Sequence, residues 1–298
     1  MGVKLLILAE KLLVFELKIL ENLNIAINKY IEQQKPIFLS PRGGIELYGF
    51  RAHEAMPLME EVGRLRELSF RAAGGGTGSD VDIDSHDLAR DGYRQLIAWD
   101  SRLKRIVGGY RYILGREDSA EHISTLKYFR PSELFRTEIM PHAIELGRSF
   151  VSIEGGRSLF AMDALWRGLA QIVQRLGWVR YLFGKVTVYP QFDEYSHNLI
   201  RLFLHRFHPA QQEWLQAVEP IGAPTLDDPF VGVDYEKNYA LLMDLLKLRG
   251  EHIPPMLHAY MRLERGMQSF DTILNRDFGN TYETAILLSV GGVNRKWF

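Results

Sequence analysis

The sequence predicts an α+β fold in which helices cover a mixed sheet. Three observations predict it. Two β-rich runs, Tyr93–Asp100 and Arg105–Leu114, are joined by Ser101-Arg102-Leu103-Lys104 and read as a hairpin. An apolar run, Ala143–Ile153, leads through a glycine-containing turn into an amphipathic pattern over Leu159–Leu176. A further apolar run, Arg180–Tyr189, ends at Pro190 and is followed by helical patterns. An antiparallel hairpin followed by strand–helix–strand–helix gives a mixed sheet with helices packed on it.

The elements follow in order. Leu5–Ala9 and Leu12–Phe15 are strongly apolar, but Glu10, Lys11, Glu16, Lys18 and Glu21 interrupt the run. A spanning helix needs about 20 mostly apolar residues, so this segment does not span. At 100° per residue Lys4, Lys11, Lys18, Asn22 and Lys29 share one face, with most leucines and isoleucines opposite. Residues 1–35 therefore read as an amphipathic helix. Its apolar face packs on the domain or a twin, or residues 4–31 lie on a membrane surface with lysines toward headgroups. Composition leaves both open.

Pro36, Pro41, Gly43 and Gly44 mark a linker, Ile45–Phe50 a short strand and His53–Arg71 a helix. The glycine-rich run Gly74–Gly78 lacks the Gly-Lys-Ser/Thr ending of a phosphate loop and reads as a mobile connection. Asp80, Asp82 and Asp84 imitate the opening of a calcium loop. Ser85 stands where its glycine belongs and Asp91 where its glutamate belongs, so calcium is rejected. Residues 117–142 are irregular. Helical patterns run over Ser196–Phe207, Tyr235–Leu248 and Pro255–Leu263, and Thr284–Val290 is the last strand.

Composition narrows the function classes. With 46% hydrophobic and 24% charged residues the chain is an ordinary globular one. Its 36 basic and 37 acidic residues leave a formal charge of −1, so nothing global suggests nucleic acid. There is no cysteine, which excludes disulfides, cysteine nucleophiles and thiolate metal sites and fits a cytoplasmic location. His205 and His208 lack further ligands at zinc spacing, and no metal is expected. Gly147-Arg148-Ser149 lacks the elbow of a serine hydrolase.

Polar residues recur where the sheet can bring them together. Arg66 and Phe70 share one helix face, Asp84 and Asp87 precede the hairpin, and Arg111 lies in its second strand. Glu145 and Arg148 are three apart on the central strand and face opposite sides if it is regular. A bulge, for which Gly147 is the natural place, turns both into one cleft. As an ion pair they are also a purely structural device.

Arg66-x-x-x-Phe70, Asp84-x-x-Asp87, Gly108-x-x-Arg111 and Glu145-Leu-x-Arg148, in this order, resemble the signature of acyl-homoserine-lactone (autoinducer) synthases. Glu145-Leu-Gly-Arg-Ser-Phe-Val, Leu165-Trp-Arg-Gly, Ile253-Pro-Pro-Met-Leu-His-Ala-Tyr-Met-Arg-Leu and Asp277-Phe278 resemble the related ornithine-lipid and glycine-lipid N-acyltransferases, often labelled hemolysin-like. The resemblance covers roughly residues 45–290. It implies a GNAT-like, acetyltransferase-like fold over residues 36–298. It also implies transfer of a long fatty acyl group, 3-hydroxylated in one form, from an acyl carrier protein thioester to an amino acid's amine, glycine or ornithine, in aminolipid synthesis. Acyl carrier protein, or coenzyme A, then brings the acyl group as co-substrate, and no other cofactor is expected.

In such folds splayed central strands offer backbone N–H groups to the pantetheine arm and the thioester oxygen. The roles implied are Glu145 as base, Asp84 or Asp87 as orienters of the acceptor, and Arg111 and Arg148 as holders of carboxylates. Arg66 braces the aspartates, and Phe70 is core or acyl-chain wall. Arg157, Arg167, Arg175, Arg180 and Lys185 are a candidate basic surface for the acidic carrier. The turn Glu154-Gly-Gly-Arg-Ser departs from the usual Arg/Gln-x-x-Gly-x-Gly/Ala, which favours a carrier-protein thioester over coenzyme A. Two other readings use different residues. His86-x-x-x-x-Asp91 with Glu154-Gly-Gly-Arg-Ser resembles the glycerolipid O-acyltransferases, and a module that only binds membrane or carrier protein fits the amphipathic start.

Overall fold

The computed structural model describes residues 18, 21–41, 43–154 and 158–293. Most of the predicted N-terminal helix, with Arg157, therefore lies outside the described residues. Residues 21–33 are helical (α1) and bury Ile27 and Ile31 against Tyr48, Phe50 and Leu58. No helix among the described residues is long and apolar enough to cross a membrane.

The strands are β1 (Phe38–Leu39), β2 (Ile45–Phe50), β3 (Arg94–Asp100), β4 (Arg105–Leu114), β5 (Phe129–Pro131), β6 (Ala143–Val151), β7 (Tyr181–Val188), β8 (Leu215–Ala217), β9 (Gln268–Asn275) and β10 (Thr281–Ser289). The longer helices are α2 (Met56–Ala72), α4 (Ser158–Leu176), α5 (Glu194–Phe207), α6 (Tyr235–Lys247) and α7 (Pro255–Leu263); α3 (Ser85–Leu88) is one turn. Among the described residues the main sheet has eight strands in the order β1-β2-β3-β4-β6-β7-β10-β9, and a small sheet pairs β5 with β8. Within the main sheet β6 and β7 run parallel and the other neighbours antiparallel.

Side chains alternate across the sheet as the strand period requires. Leu96, Leu146, Leu182 and Val186 face one side, where Ala161, Leu165 and Leu169 of α4 and Leu257 and Tyr260 of α7 cover them. Ile97, Trp99 and Ile106 face the other side under Leu58, Val62 and Leu65 of α2. The predicted helix starts late: Ala52–Glu54 form a 3-10 turn, and α2 begins at Met56 with Pro57 in its first turn, where a missing N–H costs nothing. At its other boundary α4 stops before Gly177, whose φ of 67° is the left-handed conformation that ends helices.

The parallel ladder between β6 and β7 is short. It runs from Ala143 opposite Tyr181 to Leu146 opposite Gly184, although β6 continues to Val151 and β7 to Val188. Gly184 allows the last contact, since a Cβ there would lie 2.4 Å from the Leu146 carbonyl oxygen. Beyond it the strands part, leaving β6 with β4 on one edge and, among the described residues, no strand partner on the other. A bulge widens the gap: Gly109 faces Phe150 and Arg111 faces Gly147, so Arg148 and Ser149 together oppose Tyr110. The bulge thus sits one residue beyond the expected Gly147. Arg148 adopts φ 49°, which costs a side-chain-bearing residue on the order of 1 kcal/mol.

His208, just past α5, shows how tightly the far end is sealed. Its Nδ1 lies 3.1 Å from the Met267 carbonyl oxygen and must donate to it, so Nε2 accepts from the Tyr235 hydroxyl at 3.1 Å. Burial pushes its pKa down to about 4 against that carbonyl bond, so the folded protein holds it neutral. An unfolded histidine titrates near 6.5; the contribution is complete above that pH and is lost as pH falls toward 4, by up to about 3 kcal/mol. Denaturant unfolding at pH 7 and pH 5 should show this loss, and His208→Gln should flatten the difference.

Candidate active site

The residues predicted on α2, α3 and β4 converge beneath the gap. Asp84 and Asp87 cap α3 reciprocally: Asp84 Oδ1 accepts from the Asp87 N–H at 3.0 Å and Asp87 Oδ2 from the Asp84 N–H at 3.2 Å. Arg111 Nη1 donates to Asp84 Oδ2 at 2.7 Å and to Asp87 Oδ2 at 3.0 Å. Arg66 Nη1 approaches Asp87 at 3.2 Å, and Gln95 Nε2 donates to its other oxygen at 2.8 Å. Arg66, Asp87, Gln95 and Arg111 are all buried. Burial works to raise the Asp84 carboxyl pKa, but the Arg111 guanidinium outweighs it and holds the carboxyl well below the usual carboxylate range.

Arg111 links this network to Glu145 through Tyr93. Its guanidinium lies 4.1 Å from the centre of the Tyr93 ring, and the Tyr93 hydroxyl donates to Glu145 Oε2 at 2.7 Å. Burial, reinforced by Glu145, keeps Tyr93 protonated well above its ordinary pKa, so it remains a donor. Thr125 Oγ1 donates to Glu145 Oε1 at 2.7 Å, and Ser124 Oγ lies 3.2 Å from the same oxygen. Among the described residues no cation pairs with Glu145. Three hydroxyls rather than a cation hold this buried carboxyl, an arrangement that suits a proton acceptor.

Glu145 and Arg148 are therefore not an ion pair. The bulge sends Arg148 to Asp82, with Nε 2.8 Å from Oδ2, and lays its guanidinium 4.3 Å from the centre of Phe278. Phe70 meets Phe278 edge to face at 5.1 Å, and both wall the cleft while belonging to the core.

Phe70, Arg111, Glu145 and Arg148 line one cavity of about 310 Å³, which opens between β6 and β7. Arg66, Asp84 and Asp87 are not among its lining residues; they stand behind Arg111. The opposite side is apolar, with Leu146, Val151, Met162, Met256 and Tyr260. The edge of β6 there presents backbone groups without a strand partner, where a thioester arm and its carbonyl oxygen can be gripped.

Several lining or supporting residues were not anticipated: Tyr93, Ser124, Thr125, Asp82 and Glu283; Phe278 was noted only as part of a motif, with no role given. Ser124 and Thr125 lie in a 3-10 turn, which has no periodic signature, and Asp82 sits in the acidic run that imitates a calcium loop. Lys185 corrects an expectation. It is not part of a basic surface but lines the cavity, 2.7 Å from Glu283. Arg167 pairs with Asp163, Arg175 donates to the Ile37 carbonyl oxygen, and Arg180 is exposed. Asp91 reaches His122 at 3.3 Å rather than His86, whose Nδ1 has no partner among the described residues, and neither His86 nor Asp91 lines the cavity. The His-x₄-Asp reading has no assembled site here.

Residues 65–167 match the acetyltransferase (GNAT) domain family, in agreement with the expected fold. A glycine N(alpha)-acyltransferase of Bacteroides thetaiotaomicron is 36% identical over 275 residues, 87% of this chain and 82% of that one. The chain belongs to the glycine N(alpha)-acyltransferase family. A second relative of that name, from Phocaeicola vulgatus, is 35% identical over 278 residues, 88% of this chain and 85% of the relative. Among solved structures, FeeM, an N-acyl amino acid synthase from uncultured soil microbes, is 9% identical with a TM-score of 0.43, covering 85% of this chain and 92% of that one. The coenzyme A-dependent acyl-homoserine lactone synthase BjaI is 13% identical with a TM-score of 0.37, covering 85% and 86%. The protein is an amino-acid N-acyltransferase with an acyl thioester as co-substrate.

Proposed function

We propose that the enzyme joins a long fatty acyl group, delivered by acyl carrier protein, to the amine of glycine in aminolipid synthesis. The observation that carries this reading is Glu145, buried and held by hydroxyls with no ion-pair partner among the described residues, at the point where β6 and β7 part. Glu145 takes a proton from the acceptor's ammonium. The freed amine forms a C–N bond to the thioester carbon, and its oxygen becomes an oxyanion facing the N–H groups along the β6 edge. The C–S bond then breaks, the thiol leaves with a proton, and the amide nitrogen loses its second proton. Arg148, whose Nε alone is bound by Asp82, directs its remaining donors to the acceptor's carboxylate.

Glycine is favoured over ornithine by the names of the two relatives. The departure of the turn after β6 from the usual phosphate-binding pattern favours a carrier-protein donor. A long-chain N-acyl product partitions into bilayers, which supports contact of the segment 4–31 with the inner face of the membrane through residues other than Ile27 and Ile31, which pack on the domain. Mass spectrometry of lipids from cells expressing the protein tests the reading: a new N-acylglycine is expected. An ornithine head group would correct the acceptor, and no new N-acyl amino acid would overturn the proposal.

A further inference from the structure

Among the described residues three cations line the cavity, and each already has an acidic partner: Arg111 has Asp84 and Asp87, Arg148 has Asp82, and Lys185 has Glu283. The arginines are explained by the bulge and the α3 cap. Lys185 is not. It projects from β7 just past the point where that strand leaves β6, its side chain is only 11% exposed, and the Tyr128 ring lies 4.2 Å from its nitrogen. Its carboxylate partner comes from β10 and lines the cavity as well. A lysine placed only to stitch β7 to β10 has no need of a wall of the reaction chamber.

An ammonium carries three protons. Glu283 takes one and the Tyr128 ring covers another direction, which leaves a donor for a ligand. Burial lowers the Lys185 pKa, Glu283 acts against that, and the charges of Arg148 and Glu145 both reach it, so all three groups share one chamber.

A carboxylate entering this chamber loses its water and needs donors for two oxygens. Arg148, half satisfied by Asp82, is one source. We propose that Lys185, held by Glu283, is the second cation of the acceptor-carboxylate site, across the gap from Arg148. Glu145 then meets the ammonium end of the same zwitterion. The inference rests on amino-acid acylation by this cavity and adds the residue that selects a free α-carboxylate.

The test compares glycine with glycinamide, which lacks the carboxylate, using the same acyl donor. Lys185→Met combined with Glu283→Gln removes both charges together, so that neither is left buried and unpaired. In that variant KM for glycine should rise about tenfold or more, since a charge-assisted hydrogen bond is lost. KM for the acyl donor should stay unchanged, and the preference for glycine over glycinamide should fall by the same factor as the glycine affinity. Lys185→Arg should retain most of the preference. Should the double variant not fold, Lys185→Gln is read by the same ratio. A preference within twofold of wild type overturns the proposal, whatever happens to melting temperature or kcat. Wild-type protein that acylates no amino acid at all would instead sink the underlying function, an outcome distinct from an unchanged ratio.

Discussion

Replacing Glu145 by glutamine lowers kcat for amide formation by about 100- to 10,000-fold, the range that a positioned general base supplies. Glutamine matches the shape of glutamate, and its carbonyl oxygen still accepts from the hydroxyls that now hold the acid. Tyr93, Ser124 and Thr125 can also rotate to accept from the new amide. The fold should therefore survive, and KM for the acyl donor should change little because the grip proposed for the thioester lies along the β6 edge. Steady-state kinetics beside a thermal melt separate the two effects. A near wild-type rate in a folded Glu145→Gln variant would remove this residue from proton transfer.

Arg111→Leu should have the largest effect on stability. The side chain is 2% exposed and neutralises two carboxylates, one of them completely buried. Removing it leaves Asp84 and Asp87 short of their common cation, and breaking a buried pair in this way costs about 3–5 kcal/mol. For a chain of this size that corresponds to a fall in melting temperature on the order of 10 °C. The pH dependence has a definite sign. Asp84 has a lowered pKa in the folded protein, so its contribution is present above the unfolded value of about 3.9 and is lost as pH falls below it. The gap between wild type and Arg111→Leu should be full at pH 7 and narrow below about pH 4. A gap that stays constant down to pH 3 would show that Arg111 stabilises by packing alone.

Much of the scaffold was legible because its strongest signals are local. The second hairpin strand and α7 have the boundaries that the sequence suggests, since β-rich runs and proline positions mark them. The edge strand β9 was not recognised: Gln268-Ser-Phe-Asp-Thr-Ile-Leu-Asn275 alternates poorly, and its pairing with β10 is broken by a register shift. The short strands β5 and β8 pair distant parts of the chain, as with Phe129 and Ala217, 88 positions apart, and neither is long enough to show a period.

The site divides in the same way. Arg66, Asp84, Asp87, Arg111, Glu145 and Arg148 could be named from their order, and the bracing of the aspartates by arginines with them, but not the hydroxyls around Glu145 or Asp82 as the partner of Arg148. The alternative of a structural Glu145–Arg148 ion pair is not formed: Glu145 meets hydroxyls and Arg148 meets Asp82, because the bulge falls at Arg148 and redirects its side chain. Lys185 was misplaced for a related reason. A lysine in an apolar strand looks like a surface charge unless the partner on a distant strand, Glu283, is known.

The central claim is that this cavity forms an amide from an acyl thioester and glycine. Purified protein incubated with a long-chain acyl carrier protein thioester and nitrogen-15 glycine, with products weighed by mass spectrometry and thiol counted, tests it most directly. One labelled N-acylglycine for each thiol released is expected. Thiol release without labelled amide, or transfer of the acyl chain to an added lysophospholipid instead, would contradict it.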